Sequence, residues 1–166
     1  MPLRIRAVFE ELMQRLADAC QEVYGSRLVT LAVFGSVGRG VPRPDSDIDL
    51  LIAAGPLPDG RLRRIAEFGV VERLLATDLA AARASGVMTR LSPVFKTPEE
   101  IIRGSLLFLD MLDDARILFD RDEFFGGALE DLRERLLRLG ARRVWKGNAW
   151  YWDLKPDFEP GQVFEI

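Results

Sequence analysis

Residues 34–51 read Phe34-Gly35-Ser36-Val37-Gly38-Arg39-Gly40-Val41-Pro42-Arg43-Pro44-Asp45-Ser46-Asp47-Ile48-Asp49-Leu50-Leu51. Just before them, Leu28 to Phe34 is an apolar run with β-branched residues, which predicts a buried strand ending at Gly35. A polar stretch rich in Gly and Pro follows, and a second strand is predicted from about Asp47 to Ala53. Alternation along that strand puts Asp47, Asp49 and Leu51 on one face and Ile48, Leu50 and Ile52 on the other. At ~3.3 Å per residue the two carboxylates stand about 7 Å apart along the chain. Such a pair is repulsive unless a cation lies between them. Mg²⁺ suits it, with Mn²⁺ as an alternative, because a hard cation takes one or two carboxylates and completes its shell with water and substrate phosphates. Glycine lets the backbone approach a ligand closely, so the amides of the Gly35-Ser36 turn and the Ser36 hydroxyl can bind phosphate oxygens. Arg39 adds a guanidinium able to take phosphate bidentately. Together these parts predict a site for a metal-bound nucleoside triphosphate.

Composition narrows the remaining chemistry. The chain has 166 residues, no histidine and one cysteine, Cys20. Zinc sites of His and Cys, Ser-His-Asp triads, Cys-His nucleophiles and disulfide frameworks are therefore excluded. Catalysis has to rest on carboxylates, hydroxyls, Arg, Lys or a bound metal. A formal net charge of −3 argues against a nucleic-acid-binding polycation. No apolar run is long enough for a membrane helix, and a soluble, cytoplasmic protein is expected.

Outward from the motif, apolar residues at Ile5, Val8, Phe9, Leu12, Leu16, Ala19, Cys20 and Val23 predict an amphipathic helix over 3–24, stopped by Gly25. Cys20 falls on its apolar face, as an inert core thiol. A long helix is expected to Ala84 beyond the loop at 55–60, with Gly69 as its weak point. A third strand is expected from Val87 to Lys96. Thr97-Pro98-Glu99-Glu100 reads as a helix start: a Thr cap, proline at the first helical position and acids in the first turn. A further strand is expected at 115–119 and a helix at 122–139. The acids Asp110, Asp113, Asp114, Asp120 and Asp122 read as a solvated loop. Gly147-Asn148 suits a turn between two short strands in the Trp-rich segment Trp145–Trp152, which reads as core or subunit contact rather than as a base-stacking platform. If it is exposed, this aromatic tail favours a homo-oligomer or a protein partner. The order of elements predicts a mixed α+β domain around a small sheet, with residues 1–120 as its main part and 121–166 as a C-terminal helix and aromatic extension packed on it.

Gly35-Ser36, ten intervening residues and Asp47-Ile48-Asp49 resemble the signature of the DNA polymerase beta-like nucleotidyltransferase superfamily, most of all its minimal nucleotidyltransferase branch. The motif covers about residues 33–52, and the matching order of elements reaches Lys96. The resemblance implies transfer of a nucleoside monophosphate, AMP in the first instance, from an NTP to an acceptor hydroxyl. In it Asp47 and Asp49 hold Mg²⁺, and Gly35 and Ser36 grip the outer phosphates. It also implies a toxin–antitoxin role, with a small helical partner of the HEPN type as the acceptor. The superfamily takes a third carboxylate from a later strand. No acid lies between Asp78 and Glu99, Ser92 stands near the expected position, and Glu72 or Glu99 would have to reach in from elsewhere. The alternative to an active enzyme is a degenerate member that binds nucleotide or a partner without turnover.

Overall fold

The computed structural model describes residues 2–147, 149–164 and 166. Helix α1 (Pro2–Tyr24) leads through a short 3₁₀ turn into β1 (Leu28–Phe34), a one-turn helix α2 (Gly35–Gly38) and β2 (Ile48–Ala54). Helices α3 (Arg61–Leu74) and α4 (Ala76–Ala84) then cross to β3 (Leu91–Lys96). They are followed by α5 (Pro98–Ile102), α6 (Leu107–Asp114), β4 (Arg116–Asp120) and α7 (Phe124–Arg138). A hairpin of β5 (Arg142–Lys146) and β6 (Ala149–Asp153) comes last. The main sheet has the order β3-β2-β1-β4, with β1 antiparallel to β2 and β4 and β2 parallel to β3. This is the mixed α+β architecture expected from the order of elements.

Both faces of the two central strands are covered, which is why β1 and β2 read as near-continuous apolar runs. Leu31 and Val33 of β1, with Ile48, Leu50 and Ile52 of β2, face one layer. That layer is filled by Phe9, Leu12 and Leu16 of α1 and Phe68 and Val71 of α3. Ala32, Leu51 and Ala53 face the second layer, built from Ile101, Phe108, Met111, Phe125, Leu129 and Leu132 of the later helices. Asp49 alternates onto this second face, at the margin of the α5–α7 layer.

Several boundaries differ from the expectation. The helix expected over 61–84 breaks at Leu75 (φ −89°, ψ 0°), not at Gly69. The bend keeps both halves in the first layer, with Phe68, Val71 and Leu75 before it and Ala82 after it. Strand β3 starts at Leu91 rather than Val87. The preceding residues bond outside the ladder, Met88 N–H to Pro44 O and Ile48 N–H to Arg90 O. Thr97 caps α5 as expected, and Glu100 completes a capping box. Cys20 is fully buried, and burial pushes its thiol up to about 12, so it is inert. The hairpin has the two strands expected around Gly147, while Asn148 lies outside the described residues.

The acids at 110–122 are not a solvated loop. Asp110, Asp113 and Asp114 belong to α6, and Asp114 is buried. Asp120 accepts the Thr30 hydroxyl at 2.7 Å and the backbone N–H groups of Phe125 and Gly126 at 3.1 and 2.9 Å. One carboxylate thus ties the first turn of α7 to the buried middle of β1. Asp120→Ala is expected to lower stability by about 2–3 kcal/mol, because charge-assisted bonds are lost and the buried Thr30 hydroxyl is orphaned. Urea titration should show part of that loss recovered in the Thr30→Val/Asp120→Ala double variant. Without such recovery, the Thr30 bond contributes nothing.

Candidate functional site

The first site element follows from where β1 stops. Phe34 is extended, and Gly35 then takes φ +67°, a left-handed conformation that side chains disfavour. The space beside Gly35 is also taken. A Cβ there would stand 2.7 Å from Asp49 Oδ2, so the bare backbone of the turn lies directly against the Asp49 carboxylate. Phe34 and Asp49 are register partners across β1 and β2, which fixes that approach.

Ser36 donates its hydroxyl to Ser46 Oγ at 3.0 Å, and Ser46 Oγ also accepts the Arg43 N–H at 2.9 Å. Ser46 is buried and immediately precedes Asp47, so it locks the Ser36 rotamer to the start of the acidic segment. Its position inside the ten-residue spacer was the available signal for this role. Asp47 lies one residue ahead of β2 and is exposed, whereas Asp49 is half-buried within the strand. The expected sharing of one strand face therefore becomes a solvent-facing acid beside a strand acid.

The two carboxylates interact. Burial pushes the Asp49 carboxyl above the ordinary aspartate range and the Asp47 charge pushes it further, while the Ser92 hydroxyl pulls it back. Ser92 is the register partner of Asp49 in the parallel β2–β3 pair, and so occupies the place expected for a third acid. Neither proposed substitute reaches it. Glu72 is exposed on α3, whose buried residues lie in the opposite layer, and Glu99 sits in the first turn of α5, engaged with Thr97. Among the described residues no group of three acids, Cys or His gathers to hold a metal. Lys96 pairs with Ala53, four residues beyond the Asp49–Ser92 level, or about 13 Å along the strands.

Arg39 follows the turn, and its Nη1 donates to Asp114 at the end of α6. Gly38 explains how the two elements come so close. A Cβ there would fall 2.3 Å from the Asp114 carbonyl oxygen and 2.7 Å from that of Val33. The structure thus brings Gly35, Ser36, Asp47 and Asp49 to one locus and places Arg39 beside it, held by an acid that lies in a helix rather than in the expected loop.

Two mutually repelling carboxylates with a hydroxyl in the third place fit a hard divalent cation that takes its other ligands from water and a substrate's phosphates. They do not form an all-protein cage. A cavity of about 540 Å³ between α5, α6 and α7 is lined mainly by apolar residues such as Ile101, Phe108 and Leu132, and it includes none of these site residues.

A family model described as a nucleotidyltransferase domain matches residues 13–97, a span containing Gly35, Ser36, Asp47 and Asp49. A Methanocaldococcus jannaschii protein named as a candidate protein adenylyltransferase is 26% identical over 134 residues, which is 80% of this chain and 83% of that protein. A toxin–antitoxin crystal structure with AMP-PNP is 15% identical over 77% of this chain and 92% of that one, with a TM-score of 0.45. The toxin–antitoxin MntA–HepT is 14% identical over 81% and 92%, with a TM-score of 0.37.

The raised Asp49 carboxyl carries a stability consequence. The folded chain holds that proton more tightly than the unfolded chain, so ligand-free stability falls as pH rises from the ordinary aspartate value through the raised one. Asp49→Asn removes the deficit. It should melt higher than the parent at pH 7, by less than about 1 kcal/mol because the group is partly exposed and screened. The two should converge below about pH 3, where the aspartate is protonated in both states. A variant that melts lower at pH 7 would contradict the burial and repulsion assigned to this residue.

Proposed function

This chain belongs to the nucleotidyltransferase domain family, and from that premise we propose that it transfers a nucleoside monophosphate from an NTP to an acceptor hydroxyl, releasing pyrophosphate. The observation that carries the reading is the contact between the Gly35 backbone and the Asp49 carboxylate. It sets a turn suited to phosphate beside a pair of acids suited to a divalent cation. In this proposal Gly35 and Ser36 grip the outer phosphates, with Ser46 holding the Ser36 hydroxyl in place. Asp47 and Asp49 hold Mg²⁺ or Mn²⁺, and Arg39 adds a cation at the edge of the triphosphate. When bound, the metal polarises the α-phosphate and neutralises the departing pyrophosphate. The protein residues contribute mainly position, since phosphoryl and nucleotidyl transfers depend on alignment and electrostatics rather than on covalent chemistry by the enzyme.

The name of the Methanocaldococcus jannaschii relative supports ATP as donor and a protein as acceptor. A small helical protein of the HEPN type, paired with this chain as a toxin with its antitoxin, is the acceptor that the motif's resemblance favours. No described helix is long and apolar enough to cross a membrane, which is compatible with action in the cytoplasm.

One observation favours a second reading. Ser92 stands level with Asp49 where the superfamily places an acid, and no third carboxylate joins the pair among the described residues. A chain of this kind could bind Mg-nucleotide, or a partner, without turnover.

Incubation with α-labelled ATP, Mg²⁺ and candidate acceptors distinguishes the two. The candidates are a small helical protein encoded beside this chain, RNA ends and hydroxyl-bearing small molecules. Transfer is expected, with a loss of about 100-fold or more in Asp47→Asn, since removing one ligand of a catalytic metal costs several kcal/mol of transition-state stabilisation. Saturable Mg-ATP binding with no transfer to any acceptor selects the second reading.

A further inference from the structure

The nucleotide turn is seated on a helix end that carries an unfavourable pair of charges. Asp113 and Asp114 close α6, where the helix dipole disfavours acids. A locally unfavourable choice is retained where another interaction needs it. Here the two side chains work in opposite directions. Asp114, with its side chain only 8% exposed, accepts from Arg39 Nη1. Asp113 faces the C-terminal part of the chain, 3.9 Å from Arg133 of α7 and 3.6 Å from Arg143 of β5. Arg133 also donates to the Leu112 carbonyl at 2.8 Å, so the end of α6 is fastened from behind. Gly38, which has no room for a side chain against the Asp114 backbone, seats the turn on that fastened end.

We propose that Asp114 is a positioning residue for nucleotide binding: it holds the Arg39 guanidinium in place so that its remaining donors meet the triphosphate. This rests on the nucleotide-site reading above. The Arg39 side chain is 46% exposed, and Asp114 is the only acid paired with it among the described residues. A guanidinium has five N–H donors in a rigid fork, and one anchoring contact leaves the others available. An unanchored arginine on an exposed turn would lose much of its rotamer freedom on meeting phosphate. Anchoring by a buried carboxylate takes that loss at folding instead, and affinity gains accordingly. The opposing effect is charge neutralisation of Arg39, which weakens its pull on an anion. The two effects have opposite signs in one measurement.

That measurement is the Kd of a non-hydrolysable Mg-ATP analogue, titrated into the parent chain, Asp114→Asn, Asp114→Glu, Arg39→Ala and the Arg39→Ala/Asp114→Asn double variant, with melting curves recorded in parallel. Positioning predicts that Asp114→Asn weakens binding about tenfold, the worth of one ordered charge-assisted contact. It predicts partial rescue in Asp114→Glu. It also predicts that the double variant binds no more weakly than Arg39→Ala alone, because Asp114 acts through Arg39. Unchanged or tighter binding in Asp114→Asn overturns the proposal, as does a double variant whose loss is the sum of the two single losses. If Asp114→Asn fails to fold, a Kd in Arg39→Ala equal to that of the parent overturns it equally. The Kd does not depend on turnover. A chain that binds the analogue but transfers nothing defeats the transferase reading and still tests this one.

Discussion

The contact between the Gly35 backbone and the Asp49 carboxylate is the constraint on which the site depends. A strand that must end, a left-handed residue and a carboxylate taking up the only space beside it are satisfied together by glycine alone. The register of β1 against β2 sets that contact, and register is strongly specified because both strands are buried on both faces. A slip of one residue would drive Leu50 and Ile52 out of one core layer and turn Asp49 into it. The apolar packing of the sheet therefore also aligns the acid pair. Stability and the candidate site share one set of strand residues here, and the half-buried Asp49 sits at the margin of the second layer.

Against that background, the supports of the site divide by origin. The first layer, with α1, α3 and α4, holds the strands and contributes none of the site residues identified. The second layer brings α6 under the turn through Gly38 and Asp114, and α6 is in turn fastened by Arg133 of α7 and Arg143 of the hairpin. The C-terminal segment, which carries no recognised motif, thereby bears on the position of the Gly35–Gly38 turn. It also presents Trp145, 64% exposed, while Arg143 packs over the Trp150 ring with 3.8 Å between its guanidinium carbon and the ring centre. Part of the aromatic segment is thus surface rather than core.

Much of this was legible in the sequence, for local reasons. The ends of β1, the start of α5 at its capping box and the course of α1 are written in short-range patterns: a β-branched run ended by glycine, Thr-Pro-Glu-Glu, and a three-to-four-residue apolar repeat. Gly35 and Ser36 follow the end of β1 while Asp47 and Asp49 lie at the start of its antiparallel neighbour β2, so their proximity could be read from the sequence order alone. What was missed depends on long-range partners. The break at Leu75 comes from packing both halves of a helical segment in one layer. The burial of Asp114 depends on Arg39, 75 residues away, and the role of Asp120 on Thr30, 90 residues away. No local periodicity marks an acid whose partner is so distant, and in sequence such acids look like solvated loop. Ser92 in place of a third acid is visible in the sequence. Its level with Asp49 needed the parallel register of β2 and β3.

The proposed nucleotide site depends above all on the bare backbone at Gly35, set against Asp49. Calorimetric titration of a non-hydrolysable Mg-ATP analogue into the parent chain and Gly35→Ala, each checked for a cooperative melt, tests it most directly. Saturable, metal-dependent binding is expected for the parent and none for a folded Gly35→Ala chain, because the added methyl group displaces either the turn or the Asp49 carboxylate. Equal affinity for the two folded chains would contradict it.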